Sequence, residues 1–166
     1  MRLFTALWPP PEAVAALLAD VPDAAPSGWR RIDPSTWHVT LAFHGEADPD
    51  VLGPRLEREV RGLPVPRLRL AGAGAFDGVR WAGVEADAHG LDALVAAAGG
   101  DVARFVAHVT VLRGRTRPGP DAATDPATPW AAHRGPWWRP EEVLLVASEQ
   151  GRAGVRYRVV HRAAPA

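Results

Sequence analysis

An α+β fold is predicted for this chain of 166 residues, and three observations predict it. The periodicity reads strand, helix, strand, helix, hairpin, helix, strand and then further strands. Asp77-Gly78 sits between two strand-like runs, a strong hairpin signal that makes part of the sheet antiparallel. The tetrapeptides His38-Val39-Thr40-Leu41 and His108-Val109-Thr110-Val111 start 70 positions apart, each roughly midway through one half, as an internal duplication would leave them.

Taken in order, residues 2–8 read as a strand and 10–20 as a helix with prolines at its start. Residues 21–34, rich in proline, alanine and aspartate, read as loop. Over 36–43 the alternation is clean, with Thr36, His38 and Thr40 on one face and Trp37, Val39, Leu41 and Phe43 on the other. Asp48-Pro49 supplies a cap and a first-turn proline for a helix running to about Arg61, and Gly53-Pro54 inside it predicts a late start or a kink. Strands follow at 67–76 and 79–86, a short helix at 90–98, and the second motif strand at 107–112. Residues 113–124 read as a flexible loop and 126–133 as a short helix, and 143–148 and 155–162 close as an antiparallel pair.

Composition narrows the function. An apolar fraction of 47% supports a sizeable core in one compact unit, expected to be a single domain over 1–166. The absence of cysteine excludes disulfides, thiolate metal sites and a cysteine nucleophile. No apolar run approaches the ~20 residues of a membrane span. The run over 1–8 is ended by Pro9-Pro10-Pro11 too early for a signal peptide, so a cytoplasmic location is expected. Nineteen basic residues balance nineteen acidic ones, which argues against an extended duplex as ligand. All the basic side chains are arginine, and with no lysine a P-loop for a nucleoside triphosphate is impossible.

The repeated tetrapeptide carries chemistry. Residues two apart on a strand project to one face, ~6–7 Å apart. Each copy therefore offers an imidazole and a hydroxyl to the same side. Two copies can surround one small anion with two histidines and two threonines, and a histidine pair can divide general acid and general base roles across a phosphate ester. His89, His133 and His161 have no carboxylate or histidine at ligand spacing, and no H-x-H, H-E-x-x-H or aspartate cluster lies near either motif. Neither a metal nor another cofactor is expected.

The two H-x-T-x motifs resemble those of the two-histidine (2H) phosphoesterase superfamily, most closely its RNA 2′,3′-cyclic phosphodiesterase (2′-5′ RNA ligase-like) family. The likeness extends to 2–7 (RLFTAL), to 38–46 (HVTLAFHGE), to Phe76 with 79–84 (VRWAGV), to 105–113 (FVAHVTVLR), and to Ser148 and Tyr157 in the closing strands. Ala107 stands where the family often has proline, and His44 where it is usually apolar. The resemblance implies a two-lobed fold, with two antiparallel sheets related by a pseudo-two-fold axis around a central cleft and helices outside. It implies His38 and His108 as catalytic residues, with His38 the acid toward the 3′ oxygen, His108 the base, and a 2′-phosphomonoester the product. Thr40 and Thr110 would hold the phosphate oxygens. Arg113 would contact phosphate or base, and Phe43 would stack on a base. By strict alternation, however, Arg113 and Phe43 face away from the histidines, while His44 shares their side. Arg104, Arg115 and Arg117 could form a local basic rim.

The partner expected is an RNA end or nucleotide bearing a 2′,3′-cyclic phosphate, acted on by a monomer that needs no protein partner. The same chemistry would serve a 2′-5′ linkage, another small cyclic phosphate, or 2′-5′ ligation. A non-catalytic RNA-end binding module is the reading from another class, and it would keep its affinity without either histidine.

Overall fold

The computed structural model describes residues 1–87, 90–114 and 128–166. His89, Arg115, Arg117 and all but the first two residues of the expected 113–124 loop lie outside the described residues, as do 126 and 127 of the expected short helix.

The elements in order are β1 (Arg2–Leu7), α1 (Pro11–Leu18), β2 (Trp29–Arg31), a 3-10 turn (Pro34–Thr36), β3 (Val39–Glu46), α2 (Pro49–Val60), β4 (Leu68–Phe76), β5 (Val79–Ala86), α3 (Asp92–Ala97), β6 (His108–Gly114), β7 (Val143–Gly151) and β8 (Gly154–Ala163). Their sheet order is β4-β5-β6-β3-β1-β7-β8, with β2 added on β6. Every pairing is antiparallel. The α+β reading holds, and so does the two-lobed arrangement. One lobe is β3-β1-β7-β8 and the other is β4-β5-β6 with β2; they touch along the sheet only where Val39 lies opposite Val109.

Helices α2 and α3 cover the back of the sheet, α2 against β7 and β8 and α3 against β3. The main core lies there: Leu3, Leu7, Val39, Leu41, Val109, Val111 and Leu145 project back into it and are buried, as is Trp37 from the turn before β3. A smaller cluster of Phe4, Ala6, Leu144 and Val146, capped by Trp8, fills the front of the β1–β7 pair. β1 is thus buried on both faces, as a central strand should be.

Three segments depart from the periodic reading. Asp48 caps α2 as expected, its carboxylate accepting from the Asp50 amide at 2.9 Å. The helix then runs through Pro54 from its first residue, with no late start. Gly53 has its own reason, since a Cβ there would lie 2.7 Å from His161 Nδ1 on β8; only a bare α-carbon lets α2 approach so closely. The 21–34 loop contains β2, three residues too short to show a period. From 128 to 133 the chain makes turns in place of the expected helix. The Trp130 indole donates to the Trp81 carbonyl at 3.0 Å, and Arg134 and Trp138 bridge to β4, so tertiary contacts take this segment into the sheet edge. Among the described residues no helix is long and apolar enough to cross a membrane.

Candidate active site

The single contact between the lobes builds the site. Directly opposed residues of an antiparallel pair share a face, and immediate neighbours take the other one. Val39 and Val109 are opposed and buried at 1% and 0% exposure, so both point back. His38, Thr40, His108 and Thr110 therefore all point forward, each histidine diagonal to its fellow across the join. All four line one cleft of about 380 Å³.

Each ring is held in the same way. His38 Nδ1–H donates to the Thr36 carbonyl at 2.6 Å, and His108 Nδ1–H donates to the Val106 carbonyl at 2.7 Å. A carbonyl can only accept, so these bonds put the neutral ring's proton on Nδ1 and leave Nε2 as the proton-transferring nitrogen. For His38 the carbonyl comes from the 3-10 turn, capped by Asp33, whose carboxylate accepts from the Ser35 amide at 2.9 Å. Thr36 thus lies in a turn and not in the strand expected from 36 onward, but it still lines the cleft.

Both rings sit against aromatic walls. Trp8 stacks on His38 with centroids 4.7 Å apart, Phe4 lies at 5.0 Å and Tyr157 meets the ring edge-on at 5.3 Å. Around His108 stand Phe76 at 5.1 Å and Trp81 at 5.7 Å. Burial therefore disfavours the charged ring at both positions. It pushes His38 down to about 4, assisted by the charges of His108 and Arg113 and opposed by the bond to Thr36. His108 is lowered by burial and by Arg113, against the bond to Val106.

Strict alternation fails just beyond each motif. In β3 the register against β1 passes from Ala6↔Thr40 to Thr5↔Ala42, leaving Leu41 as a bulge; in β6 the register against β5 passes from Trp81↔Thr110 to Arg80↔Leu112, leaving Val111 as a bulge. One extra residue flips the parity of everything after it. Phe43, 81% exposed, and Arg113 are thereby turned into the cleft with the histidines. The same flip carries His44 to the back of the sheet, where it bonds Thr5, so its expected place beside His38 is corrected. Phe43 and Arg113 stand at the same position in the two halves, five residues after the histidine: one repeat presents a ring there and the other a guanidinium.

Gly100 lies behind the first bulge. A Cβ there would meet the Leu41 carbonyl oxygen at 2.2 Å, with Val95 Cγ1 at 2.9 Å. The Gly100→Ala substitution should therefore cost about 1–3 kcal/mol by overpacking, read as a lowered urea midpoint. An unchanged midpoint would mean that the bulge yields freely.

The cleft also takes residues that the motifs leave without a role. Arg2 and Ser148 line its β1–β7 end and Ile32 its β6 end. Tyr157 lies directly opposite Ser148 across β7 and β8, the closing pair anticipated from the motifs. Trp8, read from sequence as packing, stacks on a motif histidine. Arg104 does not line the cleft; it pairs with Asp101 at 3.8 Å. His133 and His161, which lack carboxylates nearby in sequence, find them in space: Asp20 at 2.6 Å and Glu57 at 3.1 Å.

The family model described as LigT like Phosphoesterase matches residues 7–85, which include the first motif and the β4–β5 hairpin. Among solved structures, TT0787 of Thermus thermophilus is 28% identical with a TM-score of 0.73, over 99% of this chain and 98% of its own. E. coli LigT complexed with 3′-AMP is 26% identical with a TM-score of 0.75, over 98% of this chain and 96% of that one. The same protein complexed with phosphate is 25% identical at a TM-score of 0.72, with the same coverage. No curated protein matches the chain in sequence. With two complete H-x-T-x motifs facing one cleft in this fold, the chain belongs to the two-histidine phosphoesterases, in their LigT-like, 2′-5′ RNA ligase-like family.

Proposed function

We propose that this protein opens 2′,3′-cyclic phosphates, at RNA ends or on nucleotides, to 2′-phosphomonoesters by histidine acid–base chemistry without a metal. The observation that carries the reading is the pairing of Val39 with Val109, because it turns two Nε2 atoms and two hydroxyls toward one anion-sized space. Water attacks phosphorus and gives its proton to a neutral histidine, the P–O3′ bond breaks, and the departing O3′ takes a proton from the second, protonated histidine. The assignment of His38 as acid and His108 as base follows the family resemblance. Thr40 and Thr110 donate to the non-bridging oxygens as charge builds on them. Arg113 supplies the positive charge in reach of the phosphate, and Phe43 offers an exposed ring for a base to stack on. E. coli LigT, complexed with 3′-AMP and with phosphate, supports a ligand of nucleotide size for this cleft.

The test is turnover of a 2′,3′-cyclic mononucleotide and of a short RNA with the same end, both with EDTA present. Turnover that survives chelation and yields a 2′-phosphate is the expected result. A folded protein that turns over neither substrate, or only after metal is restored, would sink the reading.

A further inference from the structure

The face of the sheet opposite the cleft carries a second concavity, of about 170 Å³, between the strands and helices α2 and α3. Its polar side chains are Thr5, His44 and Arg55; Leu52, Leu56 and Leu145 supply much of the rest of its wall. The Thr5 side chain, 1% exposed, lies 2.8 Å from His44 Nε2. With its hydroxyl donating there, the neutral ring keeps its proton on Nδ1, which has no partner among the described residues.

Arg55 likewise makes no hydrogen bond or ion pair among the described residues. No carboxylate lines the space. His44 differs in this from His133 and His161, which lie outside the cleft and each hold a carboxylate within 3.1 Å. Burial and the Arg55 charge together lower the His44 pKa, so the two groups share one electrostatic environment that lacks a counter-charge. The carbonyls at the end of α3 do not supply it: those of Leu94, Val95 and Ala96 already accept from the amides of Ala98, Gly100 and Gly99.

We propose that this concavity binds a small tetrahedral oxyanion, of the class of phosphate or sulfate, between the Arg55 guanidinium and His44 Nδ1–H. The volume is that of roughly five or six water molecules at about 30 Å³ each. It admits such an ion and excludes a nucleotide. Arginine gives the fixed charge and the planar donors that suit an oxyanion. The site is independent of the chemistry proposed for the cleft.

The experiment follows the histidine Cε1 resonances of the full-length protein, labelled with 13C-histidine, during titration with sulfate, which is neither substrate nor product. The His44→Gln variant assigns the His44 signal. That signal should move saturably with a dissociation constant on the order of millimolar, and Arg55→Gln, a surface change on α2, should weaken it roughly fivefold or more. A His44 signal that stays still while sulfate rises to tens of millimolar overturns the proposal. So does a response unchanged in Arg55→Gln. His38 and His108 report the cleft on their own resonances, so failure to bind there is distinguishable from failure at His44.

Discussion

Replacing either motif histidine by alanine should reduce kcat on a 2′,3′-cyclic phosphate by about 10²–10⁴-fold, the range for losing one positioned acid or base. The geometry argues for near-equal losses. Both rings anchor Nδ1 on a carbonyl two residues back, both present Nε2 forward, and both stand diagonally across the Val39–Val109 join. Because attack and departure belong to one transfer, the double variant should be scarcely slower than the worse single variant. Stability separates the two positions. His38 packs against Phe4, Trp8 and Tyr157, so His38→Ala leaves a gap among aromatic rings, whereas His108→Ala uncovers a ring touched by Phe76 and Trp81 alone. His38→Gln, which fills more of the space, is the companion variant that separates lost chemistry from lost packing. A folded single variant keeping more than about a tenth of wild-type turnover would be incompatible with the acid–base assignment.

How much of this site is legible from sequence follows from which contacts are local. His38, Thr40, His108 and Thr110 are readable because a period of two is a property of one strand. The side taken by Phe43, His44 and Arg113 is not, since it depends on which residue the neighbouring strand skips. β1 skips Leu41 and β5 skips Val111, and nothing within 38–44 or 108–113 records that choice. The aromatic walls fail for the same reason: Trp8, Phe4 and Tyr157 reach one imidazole from opposite ends of the chain. Turn chemistry, by contrast, is local, and Asp48-Pro49 and Asp77-Gly78 mark the start of α2 and the β4–β5 turn where they were expected. The segment 128–133 shows the converse, with a helix-compatible sequence overridden by pairing to β4 and by the Trp130 indole.

Duplication explains why the bulges recur. If each half descends from one ancestral unit, a bulge three residues after the histidine is inherited twice, and the side chain it turns forward is free to diverge. The divergence seen, Phe43 against Arg113, makes the cleft electrically lopsided, because Arg113 depresses both histidines and nothing on the Phe43 side does the same.

That lopsidedness sets the pH dependence. The proposed step needs one histidine protonated and one neutral, and kcat/KM reports the free enzyme. Two unperturbed rings would give a bell near neutrality. Here His38 falls from 6.5 to about 4 and His108 is also lowered, so the singly protonated enzyme is most populated on the acid side, between about 4 and 6.5. The kcat/KM bell should lie there, and the kcat bell should lie higher, because a bound phosphodiester anion favours imidazolium. Replacing Arg113 with glutamine removes a positive charge and should move both limbs of kcat/KM toward alkaline pH. The free enzyme loads its first proton on His108, the ring with the smaller depression. For His38 to act as the acid, substrate binding must shift that proton across the cleft. The same shifts govern stability. Between pH 6.5 and about 4 the unfolded chain binds a proton that folded His38 refuses, so the protein loses stability as pH falls through that window, and His38→Gln should lose less. A kcat/KM profile centred above pH 6.5, with chemistry rate-limiting, would show that the cleft does not hold its histidines neutral and that their burial does not set the rate.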